Sequence, residues 1–205
     1  MLLCDIGNTT VSIYDGKQVS KKLTRYFKPS TIKEEIYYIC VNPALKESIR
    51  SHSNWIDLAS RVDYASYYPT MGIDRIMACE AVSDGVVVDA GSAITVDLVR
   101  GGKFEGGFIY PGVVAMQNAY KKISSQLDSS FNFELSLDKM PKNTQDAITY
   151  GFIAPLVKEV LSHKLSIYLC GGYADDLASF FSDAKVDELL VFKGMQKFIR
   201  KASLC

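Results

Sequence analysis

One pattern occurs twice in this chain and constrains its fold more than any other feature. An apolar run ends in Asp-x-Gly, then come amide or hydroxyl residues, then a second alternating run. The first copy is residues 1–12 (MLLCDIGNTTVS) and the second is residues 86–99 (VVVDAGSAITVDLV). Each copy reads as a strand, a tight turn and a returning strand. Asp5, Gly7 and Asn8 fall opposite Asp89, Gly91 and Ser92. Each hairpin then turns again at glycine, at Gly16-Lys17 and at Gly102-Lys103. A single copy is adequately explained as a polar turn, because Asp, Gly and Asn dominate turns. Two copies at matching strand ends imply an internal duplication. Two similar subdomains are therefore expected, over residues 1–83 and 84–205; if they face each other, two phosphate-binding loops close on one cleft.

The chemistry of such a loop follows from its residue types. A carboxylate at a strand end can face a cation. A glycine lets phosphate approach the backbone, and the donors after it can hold phosphate oxygens. An acidic residue closing the apolar strand 86–88 is costly unless it is paired or solvated at a site. Gly72-Ile73-Asp74-Arg75 opens a helix expected to run to about Ser83. Its structural explanation is an acid complementing the helix dipole and an arginine in an ion pair. Its functional explanation is an arginine forking onto a carboxylate and an aspartate accepting a hydroxyl proton. Thr144 is most simply a helix N-cap, though its hydroxyl could meet a substrate instead.

The remaining elements are expected as follows. Strands are placed over 17–27, 36–41, 55–58, 104–109 (interrupted by Gly106-Gly107), 166–170 and 188–192. Helices are placed over 31–35, 44–53, 111–125, 143–161, 174–181 and 195–202, and the polar stretch 126–142 is left as a loop. Lys plus Arg and Asp plus Glu are both 23, so the net charge is zero and no nucleic-acid or membrane-surface partner is indicated. Five spread cysteines with no C-x-x-C pair give no support to zinc or redox motifs. Four of them sit in apolar surroundings and are expected to be buried thiols. No apolar run approaches the ~20 residues of a membrane helix, and no signal peptide is visible, so a cytoplasmic location is expected.

Taken in order, Asp5-Ile-Gly-Asn-Thr, Gly72-Ile-Asp-Arg75, Asp89-Ala-Gly-Ser-Ala, Gly107-x-Ile-x-Pro-Gly112, Asn143-Thr144 with Gly151, and Gly171-Gly172 strongly resemble type III pantothenate kinase. The resemblance covers nearly the whole chain. It implies an α/β fold of two ribonuclease H-like subdomains, of the actin-like ATPase (sugar kinase and heat-shock ATPase) superfamily, facing a nucleotide cleft. It implies ATP-dependent phosphorylation of pantothenate to 4'-phosphopantothenate, the first step of coenzyme A biosynthesis.

By resemblance, Asp5, Ile6, Gly7, Asn8, Thr9, Thr10, Val11 and Ser12 form the first phosphate loop, and Ser92 makes a second nucleotide contact. Asp74 is the general base. Gly72, Ile73, Asp74 and Arg75 bind pantothenate together with Thr144, which is reached across a homodimer interface. An upstream tyrosine completes that set, either Tyr68 or Tyr67. Asp89 holds a monovalent cation, K+ or NH4+, and Asp5 lies on the Mg2+ side. The family commonly has Thr where Ser92 stands, which keeps the hydroxyl. The chain is also shorter than most members, mainly in its first half, which implies trimmed peripheral elements. Two competing readings remain. One is a kinase or phosphatase of the same superfamily acting on another small molecule, which would not share the 72–75 segment. The other is a non-catalytic regulatory or binding protein, against which intact Asp5, Asp74, Arg75 and Asp89 argue.

Overall fold

The computed structural model describes residues 1–202. In chain order its first half holds strands β1 (Leu2–Ile6), β2 (Thr10–Tyr14), β3 (Val19–Leu23) and β4 (Ile36–Cys40), helix α1 (Pro43–Ile49), strand β5 (Trp55–Asp57) and helix α2 (Ile73–Ala81). The second half holds β6 (Gly85–Ala90), β7 (Ala93–Arg100), β8 (Lys103–Pro111), α3 (Val113–Ile123) and α4 (Thr144–Ser162). It ends with β9 (Ile167–Cys170), α5 (Ala174–Ala178), β10 (Lys185–Val186) and α6 (Leu190–Lys201). The chain divides into two compact units. The first comprises Met1–Ser83, Gly102–Phe104 and the chain from Leu189 onward; the second comprises Asp84–Gly101 and Glu105–Glu188. Helix α6, counted with residues 84–205 in the sequence, thus clusters with the first unit.

The first sheet has the order β3-β2-β1-β4-β5. Strands β1, β2 and β3 form an antiparallel meander, while β4 and β5 run parallel to β1. Every residue of β4 is buried, as a continuous apolar strand covered on both faces should be. One face carries Cys4, Ile6, Tyr38 and Cys40 into a cluster with Ile49 of α1 and Trp55. On the helix-bearing side, α2 packs against β4 and α6 against β1. Strand β3 is an exposed edge, and its Lys21 and Lys22 discourage edge-to-edge pairing. Helices α2 and α6 meet at Gly194, where any Cβ would collide with the Met77 carbonyl.

The second sheet, in the order β10-β9-β6-β7-β8, repeats this pattern strand for strand. Strands β6 and β7 are antiparallel, and β9 and β10 run parallel to β6. Helix α4 covers the face bearing Val86, Val88 and Ala90 with Phe152, Ile153 and Leu156. The two units differ mainly in the link from the third strand to the fourth. In the first it is residues 24–35, with two single 3-10 turns; in the second it carries α3, α4 and the loop between them.

Four expectations are corrected. Residues 188–192 are not a strand, because Leu190 and Val191 bury with Met195 and Ile199 at helical spacing in α6. Residues 31–35 form no α-helix: a 3-10 turn, Pro29–Thr31, ends at the first of them. The strand expected to Phe27 stops at Leu23, where a 3-10 turn, Thr24–Tyr26, takes over. Gly106-Gly107 does not interrupt β8, although Gly106 adopts φ +146°. Cys4, Cys40, Cys79 and Cys170 are buried and in no disulfide, and burial pushes the Cys4 and Cys40 thiols up and makes them poor nucleophiles. Cys205 lies outside the described residues.

Candidate active site

In the first unit, Asp5 is the penultimate residue of β1, paired with Ser12 on β2 and Ile39 on β4. The turn that follows is closed by the Gly7 amide donating to the Thr10 carbonyl at 2.9 Å. A Cβ at Gly7 would lie 3.1 Å from that carbonyl, so the tight closure favours glycine. Asn8 and Thr9 are exposed at the tip. The turn has a brace that the sequence reading missed. Buried Thr24 donates its amide to the Thr9 carbonyl at 2.9 Å and its hydroxyl to the Gly7 carbonyl at 3.0 Å. That brace spans 17 residues, so no local pattern announces it.

The second element of this unit is the start of α2. Gly72 is the N-cap and brings no side chain to the cap. The Asp74 carboxylate accepts the Arg75 amide at 2.8 Å, an acid at a helix N-terminus. A Cβ at Gly72 would lie 2.5 Å from that carboxylate, so glycine there leaves Asp74 room to fold back over the helix start. Burial raises the Asp74 pKa above the ordinary carboxylate value. Hydrogen bonds from the Arg75 and Asp74 backbone amides, and the Arg75 charge, pull it partly back. The result is a carboxylate more basic than one in water and still oriented by the backbone.

Arg75 is 4% exposed, a rare state for arginine without partners. Its Nη1 donates to the Tyr68 hydroxyl, and its guanidinium lies 5.8 Å from the centre of that ring. Tyr67 turns elsewhere and donates its hydroxyl to Glu80 at 3.0 Å. Tyr68 is therefore the tyrosine that meets Arg75.

In the second unit, Asp89 is the penultimate residue of β6, the position Asp5 holds in β1. Its loop is one residue shorter. Ala90 pairs with Ile94, leaving three residues between them, whereas Ile6 pairs with Val11 across four. Gly171 adopts φ +89° and packs against both the Asp89 carboxylate and the Ala90 backbone, so a side chain there would be strained and obstructed. Gly112 passes the Ser92 carbonyl as closely, which ties the start of α3 to the second loop. Ser92 itself is exposed.

Thr144 is exposed at the first helical position of α4, and the N-cap is Asn143 instead. The Asn143 side-chain oxygen accepts the Asp146 amide at 2.9 Å, and its Nδ2 donates to the Asp146 carboxylate at 2.7 Å. Asn132 donates to the other Asp146 oxygen at 2.9 Å, and these two amides lower the Asp146 pKa. The Asn132 amide also donates to buried Thr149, which fastens the preceding loop to α4.

A groove of about 440 Å³ in the second unit lies against Phe131, Phe133, Glu134, Gln145, Asp175 and Asp176. It holds none of the residues singled out from the sequence, and its three carboxylates suit neither of two anionic substrates. Among the described residues no three His, Cys, Asp or Glu side chains gather as a metal-ligand cluster. A cation at Asp5 or Asp89 would therefore take most of its ligands from phosphate oxygens, carbonyls or water. That donor set suits hard cations such as Mg2+, which keep several waters and bind few carboxylates.

Residues 44–163 match the family model described as type III pantothenate kinase. A type III pantothenate kinase of Sulfurimonas denitrificans is 58% identical over 205 residues, covering all of both chains. One from Campylobacter jejuni is 41% identical over 204 residues, covering 98% of this chain and 97% of the relative. Among solved structures, a protein of Campylobacter jejuni described as a conserved putative Baf family transcriptional activator superposes with a TM-score of 0.90 at 37% identity over both whole chains. MreB 5 of Spiroplasma citri bound to AMPPNP superposes with a TM-score of 0.52 at 12% identity, covering 99% of this chain and 96% of that one. The ethanolamine utilization protein EutJ of Carboxydothermus hydrogenoformans gives 0.52 at 14%, covering 96% and 89%. These last two, at such low identity, show a likeness of fold alone.

Proposed function

The chain belongs to the type III pantothenate kinase family and uses ATP to phosphorylate pantothenate at the entry to coenzyme A biosynthesis; on that premise we propose how its residues divide the work. The observation that carries the assignment is the start of α2, where a carboxylate of raised basicity adjoins a buried guanidinium already steered by a tyrosine. Pantothenate offers a carboxylate for Arg75, with Gly72, Ile73 and Tyr68 shaping the same end of the site. Its primary hydroxyl is oriented by Asp74. As that oxygen bonds to the γ-phosphorus, its proton passes to an Asp74 oxygen, and the bond to the β-phosphate oxygen breaks to release ADP. Phosphoryl transfer of this kind needs alignment and charge neutralisation more than covalent help from the protein.

ATP is held by the loop from Asp5 to Ser12, through the exposed donors of Asn8 and Thr9 and the backbone around Gly7, with Ser92 as a further contact. Asp5 would hold Mg2+ beside the phosphates, and Asp89 a monovalent cation, K+ or NH4+. Those ions would offset the negative charge that gathers on the transferred group. Thr144, whose hydroxyl the cap leaves out, contacts pantothenate in a homodimer. The enzyme works in the cytoplasm. Among the described residues no helix is long and apolar enough to cross a membrane.

A coupled assay of ADP release by the purified protein, with Mg2+ and K+ present, tests this reading. Turnover that depends on pantothenate is expected and should rise with K+ or NH4+. Its absence would overturn the reading and favour a regulatory role without catalysis.

A further inference from the structure

Helix α2 carries a second acidic residue that the reaction does not use. Glu80 sits in its last turn, and its side chain is 14% exposed. One carboxylate oxygen accepts the Tyr67 hydroxyl at 3.0 Å, and the other accepts the Lys201 ammonium of α6 at 2.6 Å. Both oxygens are spent on fixing other elements. Tyr67 is the neighbour of Tyr68, the residue that steers Arg75. The rings of Tyr67 and Tyr68 both lean on Phe104, with centroids 5.9 and 6.1 Å away. The Tyr67 hydroxyl is also raised in pKa by burial and by the Glu80 charge, so it stays a donor throughout the working range.

We propose that Glu80 is a positioning residue for pantothenate: by holding Tyr67 against α2 it sets Tyr68, and through Tyr68 it orients the Arg75 guanidinium. The segment needs such a clamp. Residues 64–71 contain one short 3-10 turn (Tyr64–Ser66) and otherwise no regular structure, and Pro69 and Thr70 are exposed. A loop with few backbone hydrogen bonds opens readily unless its side chains tie it down. The Tyr67–Glu80 bond joins that loop to the last turn of the helix whose first turn holds Asp74 and Arg75. The Lys201 contact is more exposed and adds little by itself, as surface ion pairs usually do. Its part is to keep the carboxylate turned toward the loop. The clamp acts on substrate binding and leaves the proton acceptor alone, so it predicts a change confined to one substrate.

This inference rests on the pantothenate kinase reading, and the test separates the two. Steady-state kinetics of Glu80→Ala and Tyr67→Phe should each show a pantothenate KM raised about tenfold, since hydrogen bonds to charged groups are the strong ones. kcat and the ATP KM should stay within about twofold, because neither residue touches the reacting atoms in this scheme. The double variant should be no worse than Glu80→Ala alone, since both remove one interaction. Glu80→Gln, whose amide oxygen still accepts from Tyr67, should recover most of the loss. An unchanged pantothenate KM would overturn the proposal, as would equal changes in both KM values or kcat, or a Glu80→Gln as impaired as Glu80→Ala. Tyr67→Phe removes one hydroxyl only and carries the test if Glu80→Ala does not fold. A wild type without turnover would count against the kinase reading. In that event hydrogen exchange decides the clamp: the amides of 64–71 should lose protection in Tyr67→Phe while those of β4 keep theirs, and unchanged exchange overturns it.

Discussion

Asp74 is asked to be stable and reactive at once, and its surroundings oppose the first demand. Burial raises its pKa, so the folded protein binds this proton more tightly than the unfolded chain does. The linked stability is fully present below the ordinary carboxylate pKa and is lost as pH rises through the raised value. At neutral pH the ionised group is therefore a net cost to folding. Asp74→Asn keeps an oxygen for the Arg75 amide and removes the buried charge. It should melt higher than wild type at pH 7, with the difference closing in acid, as differential scanning calorimetry across pH would show. The same variant should lose about 10²–10⁴-fold in kcat, the usual worth of a positioned base. In wild type the acid limb of kcat against pH should sit above the range of an exposed aspartate, because the base works only when ionised. Arg75→Lys keeps the charge but loses the planar fork, so pantothenate KM should rise about tenfold or more with ATP KM unchanged. Of these residues, Asp74 and Arg75 were legible in the sequence as types in a motif. Which tyrosine meets Arg75 was not, because it depends on the Tyr67 hydroxyl being taken by Glu80, 13 residues further along the chain.

At the scale of elements, the two hairpins and the start of α2 follow from local pattern alone. Apolar alternation, Asp-x-Gly turns and a glycine before an acid each have a short-range cause. What the pattern could not supply are contacts between distant segments. The run Leu190-Val191-Phe192 is apolar and short, so strand and helix fit it equally, and the longer stretch to Ile199 that packs on α2 makes it helical. Gly194 is the mark of that packing. Gly194→Val should force α2 and α6 apart and cost about 1–3 kcal/mol in urea unfolding, the range for overpacking a close contact. The Thr24 brace is another long-range device. Thr24→Val keeps the shape and the backbone bond to Thr9 but loses the hydroxyl bond to Gly7. About 1 kcal/mol of stability should go with it, and the ATP KM should rise while the pantothenate KM holds.

Over the whole molecule, the duplication inferred from Asp5 and Asp89 reappears as two sheets of identical strand order. The repeat was readable because both copies keep the same chemistry at the same strand end. The uneven connections were only partly readable. The stretch 24–35 is short because it bridges the third and fourth strands without a helix, whereas the same bridge in the second unit carries α3 and α4. The placement of α6 in the first unit was not readable, since nothing local distinguishes a helix that packs on its own half from one that packs on the other. The account of Thr144 requires a dimer. Sedimentation of the active enzyme should give twice the mass of one chain, and an active monomer would contradict that role.

The measurement closest to the central claim is the identity of the product. The purified protein, given ATP, Mg2+, K+ and pantothenate, should form 4'-phosphopantothenate and ADP in equal amounts, seen by mass spectrometry and phosphorus NMR. Asp74→Asn should form almost none while still binding pantothenate in a calorimetric titration. A wild type that yields no phosphorylated pantothenate, or an Asp74→Asn that forms it at the normal rate, would contradict the account.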